Sequence, residues 1–217
     1  ENDVYDDFGP GSSVAICDFN HHNPGIVGGG YLTNSFFIRP YSFADTRPPG
    51  AKLWGKEHKE FQRINYRKVI KVHGPMQDIP RFDQHVEVDP NIKDFWGISV
   101  ARLLPSKIET DREGGNFMSG KAELWLKEAG AYFTWKSPGT SKAVGAMSHQ
   151  AGTCRMGNDP KTSVTDKYGR IHSTPNLFVS DASLHVTNGG FNPALTIMAM
   201  GFRIGGYIAS EWNRGNR

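Results

Sequence analysis

The sequence predicts an α+β chain rich in turns, and three observations carry that expectation. Glycine is frequent, at 25 of 217 residues, while hydrophobic residues reach only 37%, a balance that favours loops and short strands. Short β-like runs separated by glycine fill residues 1–45, and further strand-like runs extend to Leu104. A strongly apolar helical pattern then closes the chain from Ala194 onward. The length allows one large domain or two small ones with a real core.

In chain order, "SSVAICDF" (Ser12–Phe19) and "YLTNSFFIRP" read as strands joined through the triple glycine Gly28–Gly30. Residues 51–63 are charged, with helical spacing at Leu53, Trp54, His58 and Phe61. "YRKVIKVHG" (Tyr66–Gly74) reads as a strand. "PRFDQHVEVDP" reads as another that stops at Pro90, because proline cannot donate to a ladder. "GISVARLL" (Gly97–Leu104) is a third. A helix is expected from about Gly115 to Ala129, with Ala122, Leu124, Trp125 and Leu126 on its apolar side. "AYFTWK" (Ala131–Lys136) has the aromatic composition of a strand, and Ser137–Gly145 reads as a crossover. Leu177–Val179 form a short apolar strand ending at Ser180-Asp181. In the final helix Asn192 is placed to cap and Pro193 to take the first helical position. Ala194, Leu195, Ile197, Met198, Ile204 and Ile208 mark its broad apolar surface.

Charge is nearly balanced, 25 basic against 22 acidic residues. With no Lys/Arg-rich run, nucleic acid is not implied as a partner. Cys17 and Cys154 stand far apart, without a C-x-x-C, and leave the redox compartment open. The start "ENDVYDDFGPGSS" has neither Met nor the regions of a signal peptide. The apolar stretch Ala194–Phe202 is about half the length of a membrane span, so the chain reads as soluble, without a transmembrane segment.

Several familiar motifs are approached and missed. "GNFMSGKA" (Gly115–Ala122) nearly spells a P-loop, but Ala122 supplies no hydroxyl for magnesium and charged "ETDRE" precedes it. No G-x-G-x-x-G and no G-x-S-x-G occurs. The adjacent pair His21 and His22 lacks the i, i+4 spacing of zinc ligands, so no metal site is expected.

Two residues stand out instead. His149 in "SHQAGTCRMG" and Asn192 in "NGGFNPALTIMAM" both lie at glycine-rich turns beside apolar runs. Alone, His149 also fits a structural histidine and Asn192 a simple helix cap. Their surroundings favour chemistry. Asn192 opens an apolar helix whose N-terminus carries partial positive charge, and Asp181 ends a strand at another turn. A strand-end acid, a helix N-terminus and a histidine together suit a polar cofactor at the edge of a sheet.

In this order, "HQAGTCRMG", "NLFVSDAS" and "GGFNPALTIMAMGFRIGGYI" closely resemble the C-terminal signature of the glucose–methanol–choline (GMC) flavin oxidoreductases. The match is dense over roughly 145–211, looser over 82–104 ("RFDQHVEVDPNIKDFWGISVARL") and only general over 1–80. The tail is nearest to the bacterial sugar and sugar-acid dehydrogenases and the pyranose-oxidase-like branch, which carry His–Asn where many relatives carry His–His.

The resemblance implies an alcohol oxidation by hydride transfer to FAD. His149 would be the base that takes the hydroxyl proton, and histidine is the side chain whose ordinary charge change falls near neutral pH. Asn192 would hydrogen-bond the same oxygen. Asp181 and Ala182 match the turn along the ribityl and phosphate portion of the cofactor. Asn192, Pro193 and Thr196 match the helix start near the pyrimidine end of the flavin ring. The resemblance also refines the fold. Residues 1–140 would be a substrate-binding domain, a mostly antiparallel sheet with flanking helices. Residues 141–217 would be a C-terminal strand–helix return into a Rossmann-like FAD-binding domain. Phe36, Phe37, Tyr41 and Trp135 are candidates for sugar contact, each also plausible as core.

The family's N-terminal glycine motif, which grips the ADP part of FAD, is not among these residues. The 217-residue chain alone is therefore expected to retain FAD poorly, because the helix N-terminus that receives the pyrophosphate is missing. Tight stoichiometric FAD retention by the isolated chain would refute this. The partners implied are a small alcohol or sugar substrate, the N-terminal FAD-binding half on the same polypeptide or another chain, and an electron acceptor the sequence does not specify. Two alternatives remain at this stage, a non-catalytic carbohydrate-binding or structural module and the small chain of a split oxidoreductase.

Overall fold

Short strands broken by glycine cannot build a wide sheet, and the chain resolves into small antiparallel ones. In a computed structural model, residues 14–35, 43–44, 47–104, 109–136 and 149–214 are described. They form a mixed α/β fold with three small antiparallel sheets and three α-helices. The chain divides into two compact units, Glu1–Met76 with Arg112–Gly139, and Gln77–Asp111 with Thr140–Arg217.

In the first unit β1 (Ala15–Ile16), β2 (Leu32–Ser35) and β3 (Lys71–His73) pair antiparallel in that order. The central strand is buried from Leu32 to Asn34, and its polar side chains are satisfied. The Thr33 hydroxyl donates to the Val14 carbonyl at 2.9 Å, and Asn34 Oδ1 accepts from the Val14 amide at 2.9 Å. The triple glycine has a steric purpose. A Cβ at Gly30 would lie 2.1 Å from the Pro75 carbonyl oxygen, so the bridge from Gly30 to Met76 requires glycine.

Helix α1 spans Gly55–Asn65, so Leu53 precedes it, and Trp54 stands at its N-cap position without a side-chain capping bond. Its anchor is Phe61, stacked on the fully buried Phe43 with centroids 6.1 Å apart. Helix α2 covers Glu109–Glu128, six residues earlier than the apolar pattern suggests. The near-P-loop stretch 115–122 is therefore helix interior, its amides inside a helix rather than cradling a phosphate. Phe117 meets Phe19 edge-on at 5.9 Å, and Lys121 lies over both rings.

The aromatic run 131–136 forms no strand. A strand needs a ladder partner, and polar ties to α2 are found instead. Glu123 accepts from Lys127 at 2.8 Å, from Lys136 at 3.1 Å and from the Thr134 hydroxyl at 3.2 Å. The two lysines hold its carboxyl down to about 2, from an ordinary 4.5. A depressed acid contributes in full above its ordinary pKa and loses that contribution as pH falls through the folded value. Acidification from 4.5 to about 2 should thus release the 131–136 segment, measurable as faster amide exchange there. Glu123→Gln should show the released behaviour at neutral pH, and equal exchange in both proteins would refute the tie.

In the second unit β4 (Val86–Lys93) pairs with β5 (Ser99–Leu103). The strand does not stop at Pro90. The pairing shifts register between Val88 and Lys93, and Pro90 falls in that irregular stretch, where no ladder donor is needed. Asp89 supports the bulge by accepting from the amides of Asn91 and Ile92, both at 2.8 Å, bonds that lower its pKa. β6 (Arg170–Ile171) and β7 (Thr174–Phe178) form a second hairpin. Helix α3 runs Ala194–Asn213. Of its expected apolar surface only Ile204 is buried, while Leu195 and Met198 are exposed. Among the described residues no helix is long and apolar enough to cross a membrane. Phe36, Phe37, Tyr41 and the 137–145 crossover lie outside the described residues, except that the crossover's sequence neighbour Trp135 is partly buried against Phe133.

Candidate functional site

The site grows from the end of β7. The Val179 amide closes that hairpin on the Gly169 carbonyl at 2.8 Å, and the chain turns at Ser180. Asp181 then caps a short 3₁₀ helix, Ala182–Leu184, its Oδ1 accepting from the Ser183 amide at 2.8 Å and from the Ser183 hydroxyl. The hydroxyl and amide of Ser183 hold the Asp181 carboxyl below its usual range. The carbonyls of this turn are spent on a strap. Ala182, Ser183 and Leu184 accept from the amides of Gly152, Cys154 and Met156 at 3.1, 2.9 and 3.0 Å.

His149 stands three residues before the strap, with an exposed side chain and φ +77°. Only His22 shares a positive φ among the non-glycine residues described, and that conformation is costly for a residue with a Cβ. Its carbonyl is held by the Asn188 side-chain amide at 2.9 Å. Asn188 in turn faces His185, whose Nδ1 lies 2.8 Å from Asn188 Oδ1.

Asn188, His185, Asn192, Pro193, Thr196 and Met156 are among the residues lining a hollow of about 390 Å³. Asn192 is exposed there and is not the helix cap. Pro193 holds that position, its carbonyl already accepting from the Ile197 amide at 2.9 Å, so helical bonding begins one residue later than the sequence suggests. No side chain caps α3, which leaves its first-turn amides without that partner beside the hollow. The structure thus groups Asn192, Pro193 and Thr196 on one hollow and ties His149 to its rim. Asp181 and Ala182 serve the turn that leads there.

A second hollow, of about 270 Å³, holds Ser163 and His172 with Oγ and Nε2 3.0 Å apart. The Ser163 hydroxyl is also 2.6 Å from the Asp159 carbonyl, which can only accept. The hydroxyl proton is committed there and His172 must donate, so this pair is not a nucleophile with its base. Among the described residues no group of three or more His, Cys, Asp or Glu is placed to hold a metal ion.

His185, Asn188 and Thr187, whose hydroxyl accepts from Gln77 at 2.7 Å, were not singled out by sequence. The available signal was two polar side chains three apart, running into the Gly189-Gly190 turn.

A mostly apolar hollow with a few polar side chains at an uncapped helix start, and an exposed histidine tied to its rim, is the arrangement of a small-molecule site. Residues 78–201, more than half of the chain, match the GMC oxidoreductase family. The chain is 32% identical over 206 residues to a 2-methyl-1,2-propanediol dehydrogenase of Mycolicibacterium austroafricanum, covering 94% of the chain and 37% of the relative. It is 31% identical over 212 residues to a 6'''-hydroxyparomomycin C oxidase of Streptomyces lividus, covering 96% and 34%. To a gluconate 2-dehydrogenase flavoprotein of Pantoea cypripedii it is 32% identical over 208 residues, covering 88% and 32%. The chain belongs to the GMC oxidoreductase family and spans about a third of the length of these relatives.

Proposed function

We propose that the protein of which this chain is part oxidises an alcohol group, a CH–OH donor such as a sugar, glycoside or sugar acid, with FAD as cofactor. Residues 1–140 supply the substrate-binding domain, and residues 141–217 supply the catalytic histidine and the return into the FAD-binding domain. FAD, when bound, supplies the hydride acceptor. His149 takes the hydroxyl proton as the carbinol C–H leaves as hydride and the C–O bond becomes a carbonyl. Asn192 donates a hydrogen bond to the same oxygen and fixes the carbinol carbon. Asn192 has no basic nitrogen, so the proton falls to His149. The uncapped amides at the start of α3, with Pro193 and Thr196, fit an acceptor-rich ring edge. Asp181 and Ala182 support the cofactor's ribityl–phosphate side.

The observation that carries this reading is His149 itself. Its side chain is exposed, its backbone is left-handed, and a side-chain amide at the rim of the Asn192 hollow holds its carbonyl. Backbone conformations of this kind cluster at active sites, which supports the reading. The name of the Pantoea relative includes a flavoprotein, and the names of all three describe dehydrogenases or oxidases, which supports the redox class. The test is anaerobic mixing of the complete flavin-loaded protein with a panel of alcohols, sugars and sugar acids. Substrate should bleach the flavin in a His149-dependent way. Bleaching by no member of the panel, or bleaching indifferent to His149→Ala, would overturn the proposal.

A further inference from the structure

We infer that Asn188, fixed by His185, is a positioning residue that holds the main chain at His149 and so aims the base. The inference rests on the reading of His149 as base.

The hydrogen-bond directions follow from elementary chemistry. The His149 carbonyl can only accept, so the Asn188 side chain must turn its NH₂ toward it, as the 2.9 Å contact from Nδ2 shows. That leaves Asn188 Oδ1, an acceptor, 2.8 Å from His185 Nδ1. His185 Nδ1 must therefore carry a proton, and in the neutral ring the lone pair lies on Nε2. That Nε2 is buried without a hydrogen-bond partner, on a residue only 8% exposed. A buried polar atom left unpaired is a cost that needs an explanation, since a phenyl ring would fill the same space without it. The explanation is the other nitrogen. A donor at Nδ1 fixes which way the Asn188 amide faces, and that orientation puts a donor on the His149 carbonyl.

The loop bearing these residues is anchored on both sides. His185 follows the 3₁₀ turn strapped to residues 152–156, and Thr187 accepts from Gln77 at 2.7 Å. The Asn188 bond ties the left-handed residue His149 to this anchored loop and so bears on its orientation. Misplacing a reacting group by about 1 Å can cost on the order of 100-fold in rate.

The test uses the complete flavin-loaded protein and compares Asn188→Ala, Asn188→Asp, His185→Phe and His149→Ala. Asn188→Asp keeps size and shape but replaces the donor with an acceptor. A space-filling role tolerates that change and a donor role does not. The expected result is a loss in kcat for flavin reduction of about 10- to 100-fold in both Asn188 variants, a smaller loss in His185→Phe, and KM and flavin content near the parent values. Independently of activity, nitrogen-15 NMR of the His185 ring should show the Nδ1-protonated tautomer in the parent and its loss in Asn188→Ala. If Asn188→Ala does not fold, Asn188→Asp and the tautomer measurement decide. Parent-like kcat in Asn188→Asp alongside a strongly impaired His149→Ala would overturn the inference alone. Parent-like His149→Ala would instead overturn the base reading, and a His185 ring protonated on Nε2 would overturn the relay whatever the rates.

Discussion

His149→Ala should lower the rate of flavin reduction by substrate about 10²- to 10⁴-fold, the usual contribution of a positioned base. At about 1.36 kcal/mol per tenfold, that is roughly 2.7–5.4 kcal/mol of transition-state stabilisation. The fold should be indifferent to the change, because the side chain is exposed and, among the described residues, the bond made by His149 is through its backbone carbonyl. His149→Gly sharpens the point. It removes a left-handed penalty of about 1 kcal/mol while adding chain entropy of similar size. Its melting midpoint should therefore stay near the parent value while activity falls as far as in His149→Ala. A residue held for structure would behave in the opposite way, losing stability and keeping rate. Stopped-flow reduction traces and thermal melts on the same three proteins separate the two outcomes.

What could be read from the sequence follows from how each signal is generated. The apolar repeat of α3 is local, so the helix was legible, but its cap was not. Asn192 is a good capping residue, yet where helical bonding begins is set by Pro193, whose carbonyl takes the first bond. The start of α2 was hidden because "ETDREGG" is charged and glycine-bearing, the marks of a loop. Residues 131–136 have strand composition, but a strand is a pairing, and here Glu123 supplies ion pairs in place of a ladder. His149 and Asn192 were visible as polar residues at glycine turns within a family-like string. His185 and Asn188 were not, since their importance lies in one hydrogen bond spanning 39 residues, from Asn188 to His149. No periodicity or spacing encodes that contact.

Leu184→Ala should destabilise the protein by about 2–5 kcal/mol, the range for truncating a buried leucine. Leu184 is fully buried and shares its core with Ile204 of α3, itself 1% exposed. Gly169 lies against both. A Cβ built there would stand 3.0 Å from Ile204 Cδ1, 3.5 Å from Leu184 Cδ1 and 2.3 Å from the Val179 carbonyl oxygen. With glycine already so close on one side, the backbone has little room to collapse into the cavity left by the lost methyl groups, which places the cost toward the upper end. The loss reaches the site by a short covalent path. Leu184 accepts from Met156 at 3.0 Å at the end of the strap, and the next residue is His185. Leu195 on the same helix is 77% exposed in this chain, so Leu195→Ala should change its stability by no more than about 0.5 kcal/mol. Urea midpoints of the two variants at constant m-value make the comparison. A Leu184→Ala midpoint as small in its shift as that of Leu195→Ala would mean that Leu184 is not part of the core beneath the histidine loop.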